Sequence, residues 1–317
     1  MPGLGPILPL GDGMSGARKI PVFATVTNAY AFALGDFLTV LRLSLLPVLA
    51  IAVMTYVFMS DLFAVIPFPP APLPKDAAPL IDPTQMFSVM RREAQWSLVM
   101  MVGSAMAIVP LMRAVLYGER QPGLLLYLRF GFEEVRVIVA AVVMQVAACI
   151  AIVPMMFVFI GLAAALQAGA QSPGGVAPVV AIVTIGLAVA MACLVLWLLL
   201  RLYMYPAVAV ATNSLGLGES WTLMRGNVLR LFVVIVLTLV PFMLLALFAT
   251  LAFAAEHLRA GWHPQSLDPA MFKDALPRVM AGTIFLQMLF GNAFIVGIVG
   301  NAYLALTQDS EGGETTA

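Results

Sequence analysis

Charged residues are scarce in this sequence. Asp, Glu, Lys and Arg make up only 10% of its 317 residues, while 62% are hydrophobic. A soluble domain carries about 25% charged residues, so these proportions exclude a water-soluble fold. The 16 basic residues balance the 16 acidic ones, which gives no electrostatic basis for binding nucleic acid or for a polybasic lipid patch. We therefore expect an integral membrane protein.

Cysteine and histidine are almost absent. Cys149 and Cys193 lie inside long apolar runs, which favours small buried hydrophobic side chains over a disulfide or a reactive thiol. His257 and His263 share one loop segment. Their spacing matches no metal motif, so a solvated loop is favoured over a zinc site. We expect no catalytic residues, no metal and no cofactor, and hence no enzyme.

One pair of adjacent carboxylates, Glu133 and Glu134, has Arg129 and Arg136 beside it. Adjacent helix residues point apart, whereas Arg129 and Glu133 are four residues apart and share a helix face. This pattern predicts a salt-bridge cluster at the level of the lipid headgroups. It favours that interpretation over acid–base chemistry.

Six apolar runs reach the length of about 20 residues that a helix needs to cross a bilayer. Lys and Arg near their ends are more frequent on the side of the two termini, which predicts that both termini are cytoplasmic. The segments 1–20 and 308–317 are predicted to be a flexible and an acidic cytoplasmic tail, respectively. The six predicted spans are Thr39–Met59, Trp96–Tyr117, Val137–Leu166, Val176–Tyr205, Val228–Ala255 and Val279–Leu306.

A repeat is visible in the spacing of glycine and proline. Gly35 precedes Pro110 by the same number of residues as Gly131 precedes Pro206, and Gly226 follows Gly131 at almost the same interval. This predicts three units, at about 21–117, 118–213 and 214–307, within one all-α membrane domain. The alternative is chance, because membrane spans resemble one another in composition.

A short apolar or amphipathic stretch precedes each of these glycines: VFATVTNAYAFALG, PGLLLYLRFG and GESWTLMRG. Their apolar residues recur at helical spacing, which favours a helix lying at the membrane interface that turns at the glycine into the span. The alternative is that each stretch simply begins its span early. The residues predicted to form these interfacial elbows are Gly35, Gly131, Trp221, Arg225, Gly226 and Asn227.

The dipeptides Asp82-Pro83 and Asp268-Pro269 occupy corresponding places in the first and third units. Asp at the N-cap followed by Pro at the first helical position is a signal for a helix start. We therefore expect a short helix to begin at each of these prolines and to lead into the returning span.

The run Ser-Trp-Thr-Leu-Met-Arg-Gly-Asn, which leads into the fifth span, resembles the membrane domain associated with some glycerophosphodiester phosphodiesterases. It is also similar to the YciC-like inner-membrane proteins. The resemblance implies a bacterial inner-membrane protein of ill-defined role. It does not imply phosphodiesterase activity, because that chemistry belongs to a separate soluble barrel domain in the fused proteins.

The polar residues inside the spans are neutral. Gln145, Gln287 and Asn292 are the candidates for a polar pocket, although hydrogen bonding between helices is the favoured role for such residues. The last span also carries four glycines, which allow close helix contact and predict a central position or an oligomer seam. They are Gly282, Gly291, Gly297 and Gly300.

The absence of buried charge favours a non-enzymatic scaffold, or an envelope- or lipid-homeostasis factor, whose partners are membrane lipids and either another protein or a second copy of the chain. The alternative is a transporter or lipid carrier with a neutral pathway between the repeats, since transporters often bind substrates at repeat interfaces. An enzyme built on the two histidines is the least favoured hypothesis.

Overall fold

The computed structural model describes residues 19–65, 83–119, 130–171, 177–259 and 269–307. Within these ranges the chain is helical and contains no strand. Of the tail predicted at 1–20, only Lys19 and Ile20 are described, and Ile20 is fully buried. The tail predicted at 308–317 lies outside the described residues.

Nine α-helices form the described structure, and five of the six apolar runs of the sequence each lie within one of them, whereas the run Val176–Tyr205 extends beyond α5 at both ends. A single π-helical turn, Ala31–Gly35, follows the first helix. The helices are α1 Val22–Tyr30, α2 Phe37–Val65, α3 Pro83–Tyr117, α4 Phe132–Gln171, α5 Ala177–Leu202, α6 Tyr205–Thr212, α7 Leu217–Leu223, α8 Val228–Arg259 and α9 Pro269–Thr307.

Four helical segments in the described ranges are long and apolar enough to cross a membrane, and a fifth joins them if α7 and α8 count as one bent span. These helices are those of a membrane-embedded, all-α protein, as the composition predicts. The four segments are Phe37–Leu62, Phe87–Tyr117, Ile182–Thr212 and Ala275–Thr307.

The helix starts predicted from the Asp-Pro dipeptides are confirmed: α3 begins at Pro83 and α9 begins at Pro269. Proline suits the first helical position because its missing N–H has no partner there in any case. Each helix then runs without interruption into its apolar segment. The short leading helices expected from the sequence are therefore the first turns of the long ones.

The core lies at one end of the helix bundle, which we call the closed end. It holds α1, α6 and α7, the starts of α2, α4 and α8, and the ends of α3 and α9. At this end α9 packs against α1, α2 and α3, while α6 packs against α3 and α4. Fully buried side chains here include Ala29, Val40, Met112, Val208, Leu231 and Val299.

The α4–α5 hairpin projects from this core. In Ile182–Thr212 only 11% of an apolar 18-residue stretch is buried inside the protein, against 39% to 44% of such a stretch in the other three segments. Cys149 and Cys193 are free and exposed on this hairpin, so the expectation that they are buried is wrong. An apolar side chain of a membrane helix can face lipid as readily as protein, so exposure of these two cysteines is compatible with an apolar helix.

Two glycines bring α9 close to its neighbours, which gives it the central position predicted from its glycine content. A Cβ atom on Gly297 would lie 2.9 Å from Cα of Ala29 in α1, and one on Gly300 would lie 2.6 Å from Cγ1 of Val115 in α3. By contrast, nothing lies within 4 Å of a Cβ built on Gly282 or Gly291. Only the two glycines in the closed end are needed for packing.

Candidate functional site

The helix α7 and its connections form the polar centre of the closed end. It meets α8 at 95°, and Gly226 lies in the turn between them with a φ of +83°. This left-handed conformation is accessible to glycine at little cost and strains other residues. The neighbouring Arg225 is exposed, and its backbone N–H donates to the carbonyl of Thr222.

Asn227 ties this turn to the N-terminal segment. Its side chain is 2% exposed, and its Oδ1 accepts a hydrogen bond from the backbone N–H of Ile20 at 3.1 Å. One turn later, a terminal nitrogen of Arg230 donates to the carbonyl of Ile20 at 3.1 Å. The N–H and the carbonyl of the fully buried Ile20 thus both have hydrogen-bond partners at the start of α8, as buried backbone groups require.

A tryptophan–arginine cluster joins the end of α5 to α7. The guanidinium carbon of Arg201 lies 3.8 Å from the ring centroid of Trp221 and 5.0 Å from that of Trp197. The two indole rings meet edge to face, with centroids 5.7 Å apart. The Nε of Arg201 donates to the carbonyl of Trp221 at 3.3 Å, and the Ser220 hydroxyl donates to the carbonyl of Arg201. We call Trp197, Arg201 and Trp221 the Trp–Arg clamp.

The carboxylates at the start of α4 have partners other than those predicted. Glu133 forms a two-point ion pair with Arg113 of α3, with Nε and Oε2 2.8 Å apart. Glu134 accepts the backbone N–H of Gly131 at 2.8 Å, and thereby caps the helix as a capping-box carboxylate does. Arg136 donates to Oδ1 of Asn213, whereas Arg129 lies outside the described residues. The described residues thus form three separate contacts, and the predicted pairing of Arg129 with Glu133 stays a prediction.

Small residues pack α1 and the π-helical turn after it against the rest of the closed end. Thr25, Ala29 and Ala33 are buried, whereas Phe23 is 80% exposed. Gly35 ends the π-helical turn just before α2, and a Cβ there would meet nothing within 4 Å. The stretch preceding Gly131 in the second unit lies outside the described residues.

Tyr30 fastens α1 to α8 and α9. Its hydroxyl donates to the carbonyl of Thr238 at 2.8 Å, and its ring meets that of Phe294 edge to face, with centroids 5.0 Å apart. Burial raises the pKa of the Tyr30 hydroxyl above its ordinary value, so the hydroxyl remains a proton donor at neutral pH.

The three residues proposed for a polar pocket have different environments. Gln145 is exposed on α4, with Cys149 Sγ 4.0 Å from its amide nitrogen, and Gln287 is exposed on α9. Asn292 is only 5% exposed, and its Nδ2 is the one buried side-chain nitrogen or oxygen of the described residues without a hydrogen-bond partner. A buried donor without an acceptor costs about 1–3 kcal/mol of stability. Of the three residues, only Asn292 therefore has a buried donor that a ligand could satisfy.

A small recess lies between the far ends of α2 and α3. Its volume is about 100 Å³, well below the roughly 300–1,000 Å³ of a typical small-molecule site. Trp96 stacks on Phe58 and donates to the Thr55 hydroxyl at 3.1 Å, and Arg92 pairs with Asp61 at 3.3 Å. These contacts bind the two helices together rather than form a site for a substrate.

No cluster of three or more His, Cys, Asp or Glu side chains occurs in the part of the chain that the structure describes. The side chains of His257 and His263 lie outside that part. The described polar groups of the closed end are held by hydrogen bonds, an ion pair and cation–π contacts, so this arrangement joins helices and exposes few reactive groups.

Sequence reasoning missed Asn213 and Trp197 as members of this end of the molecule, and it did not predict that Arg113 pairs with Glu133. One signal was present for Trp197, because it stands four residues before Arg201 on the same helix face. No family model, curated protein or solved structure matches the chain. The resemblance of its Ser-Trp-Thr-Leu-Met-Arg-Gly-Asn run to known membrane domains thus stays a prediction.

Proposed function

We propose that this chain is a non-enzymatic multi-pass protein of the bacterial inner (cytoplasmic) membrane, which acts as a scaffold or as an envelope- or lipid-homeostasis factor. It crosses the bilayer six times, with both termini in the cytoplasm and the closed end at the cytoplasmic surface. Its unit of elbow helix and helical hairpin occurs three times. The resemblance to glycerophosphodiesterase-associated and YciC-like membrane domains supports this assignment.

The distribution of charge is the observation that carries the proposal. The segments 43–60, 94–112, 137–200, 231–255 and 279–308 contain no Asp, Glu, Lys or Arg. Ionisable residues deep in a membrane usually mark ion or proton paths, so a chain without them lacks the usual means of coupled transport. At the closed end, Arg113, Glu133 and Arg230 bind other parts of the same chain, which is what a rigid structural element requires.

The number of spans is tested by labelling single cysteines with a membrane-impermeant maleimide in intact cells, with Cys149 and Cys193 replaced by Ala. Six spans predict that Ser15→Cys and Ser310→Cys are both protected, whereas Lys75→Cys in the loop between α2 and α3 is labelled. Five spans would place residues 15 and 310 on opposite sides. Labelling of one terminus but not the other would therefore reject this topology.

The scaffold role is tested by photo-cross-linking in living cells. A photoreactive residue replaces one of three exposed side chains on different faces of the bundle, namely Val146 in α4, Leu244 in α8 and Leu286 in α9. A scaffold is expected to give a discrete protein adduct from one face and not from the other two. Adducts with lipid alone from all three faces would contradict a role that depends on a protein partner.

A lipid or small-molecule carrier is the second candidate, and Asn292 is the observation that favours it. A carrier that uses the free Nδ2 of Asn292 is expected to lose activity in a cell-based complementation assay when Asn292 is replaced by Leu. Asn301→Leu is the matched control, because Nδ2 of Asn301 already bonds the carbonyl of Gly297 in its own helix at 2.7 Å. Full activity of Asn292→Leu would contradict the carrier function and leave the scaffold function as the proposal.

A further inference from the structure

Among the described residues, the cation of the Trp–Arg clamp has no counter-ion. Arginine has five N–H donors, and in this part of the chain only Nε of Arg201 has an acceptor, the carbonyl of Trp221. Among the described residues, ion pairs join Arg92 to Asp61 and Arg113 to Glu133, and none involves Arg201. Its two terminal nitrogens thus remain available as donors.

Arg113 is the closest comparison for Arg201, because it occupies a similar place on its helix and has a different partner. Both arginines are half-buried and lie near the closed end of a long apolar helix. Arg113 is met by the carboxylate of Glu133 on a neighbouring helix, whereas Arg201 meets two aromatic rings. Glu219 of α7 is two residues from Trp221, and residues two apart on a helix point in nearly opposite directions. Glu219 is therefore not the counter-ion of Arg201, and no other carboxylate of the described residues pairs with it.

The surroundings of the clamp indicate what kind of anion this is. The helix that carries Arg201 belongs to the least buried of the four apolar segments, so its sides face lipid. Trp residues concentrate at the depth of the lipid headgroups, where their rings meet both apolar chains and water. The planar fork of a guanidinium matches a phosphate group with two parallel hydrogen bonds. Contact with both indole rings holds this fork in place.

We propose that the Trp–Arg clamp is a binding site for the phosphate group of an anionic phospholipid headgroup at the closed end of the bundle. This inference rests on the proposed function in one respect, that the closed end lies at a membrane surface. Trp197 and Trp221 orient the guanidinium, and its terminal nitrogens donate to two phosphate oxygens. A free phosphate ion presents the same oxygens, so the test must separate the two sources.

The test is native mass spectrometry of the full chain released from detergent, titrated separately with phosphatidylglycerol and with diacylglycerol of the same acyl chains. We expect one tightly bound phosphatidylglycerol and no diacylglycerol at equal concentration. Arg201→Gln should weaken that binding by about tenfold or more, the scale expected for losing charge-assisted hydrogen bonds. Equal retention of the two lipids by the wild-type protein would overturn the proposal.

Arg225→Gln is the matched control, because it removes the same charge from an exposed site at the same end. It should change the affinity by less than about twofold, as expected for a screened surface charge. If it weakens binding as much as Arg201→Gln does, the attraction is a general effect of charge and the clamp is not a site. If inorganic phosphate displaces the lipid at equal concentration, the ligand is a soluble phosphate and the lipid assignment is overturned.

Arg201→Lys guards against a variant that fails to fold. Lys keeps the charge but loses the planar fork, so we expect a loss of affinity between those of the wild type and Arg201→Gln at an unchanged melting temperature. Wild-type affinity in Arg201→Lys would contradict two-point recognition of phosphate. Photo-cross-linking of a protein partner does not depend on this site, so failure of the lipid titration leaves the scaffold proposal standing.

Discussion

The side chain of Asn227 and the backbone of Ile20 are hydrogen-bonded across 207 positions of the chain, with the Ile20 N–H donating to Asn227 Oδ1 at 3.1 Å. The bond lies in the buried centre of the closed end, where Ile20 is fully covered. It connects the residue that precedes α1 to the first residues of α8, and thus joins the first helix of the fold to one of the last.

Replacing Asn227 by Ala should destabilise the protein by about 1–3 kcal/mol, because the N–H of Ile20 would be left buried without an acceptor. The measurement is denaturant unfolding of the detergent-solubilised protein, followed by circular dichroism. Thr222→Ala is the control, because the Thr222 hydroxyl also makes a hydrogen bond, to the carbonyl of Gly218, but the residue is exposed. Equal losses in the two variants would show that burial of the Ile20 contact is unimportant.

Replacing Gly297 by Ala should cost about 1–3 kcal/mol, the usual range for overpacking a core. The new methyl group would lie 2.9 Å from Cα of Ala29, and a backbone atom cannot move aside as a flexible side chain can. Gly282→Ala places the same methyl group in open space in the same helix. It should be neutral or stabilising, since Ala favours helix. The same denaturant unfolding assay measures both variants. Wild-type stability of Gly297→Ala would mean that α1 does not pack closely against α9.

Replacing Gly226 by Ala should cost about 1–2 kcal/mol, the strain of a left-handed backbone at a residue with a side chain. A Cβ there would meet nothing within 4 Å, so the loss would report backbone strain alone. Gly35→Ala is the comparison from the first unit, where the φ is not positive and the space is also open. It should leave the melting temperature unchanged. If Gly226→Ala were as stable as the wild type, the turn between α7 and α8 would not be fixed in a left-handed conformation.

Arg113 and Glu133 should show strong energetic coupling in a double-mutant cycle. Their side chains are 23% and 21% exposed, and we expect a coupling free energy of about 0.5–3 kcal/mol for residues paired at this depth. The cycle uses Arg113→Gln, Glu133→Gln and the double variant. The ion pair of Arg92 with Asp61 is the internal control, because Asp61 is 59% exposed, and exposed pairs couple by about 0–1 kcal/mol. A larger coupling free energy for Arg92 and Asp61 than for Arg113 and Glu133 would contradict the prediction that burial strengthens the ion pair.

Much of the helical framework could be predicted from the sequence. Long apolar runs and the scarcity of charge predict membrane helices, because no other element satisfies its backbone in lipid except a closed barrel. The prolines after Asp82 and Asp268 mark where α3 and α9 begin, because helix starts depend on local chemistry. The threefold repeat and the count of six spans remain predictions.

The contacts of the closed end could not be predicted in the same way. Arg113 meets Glu133, and Asn227 meets Ile20, only because the helices fold back on one another, and no local spacing encodes that pairing. The buried face of α1 was also misleading. Large apolar side chains such as Phe23 mark the core of a soluble protein, but in lipid they are stable outside, and close helix contact selects small residues such as Ala29.

The close approach of Ala29 to Gly297 has a consequence for biosynthesis. The helix α1 packs against α8 and α9, which are translated much later. Folding of the earlier segments during synthesis therefore leaves α1 without its partners until α9 has been made. A message truncated before α9 would yield a chain in which α1 cannot dock on α9, and which quality-control proteases would recognise as unfinished.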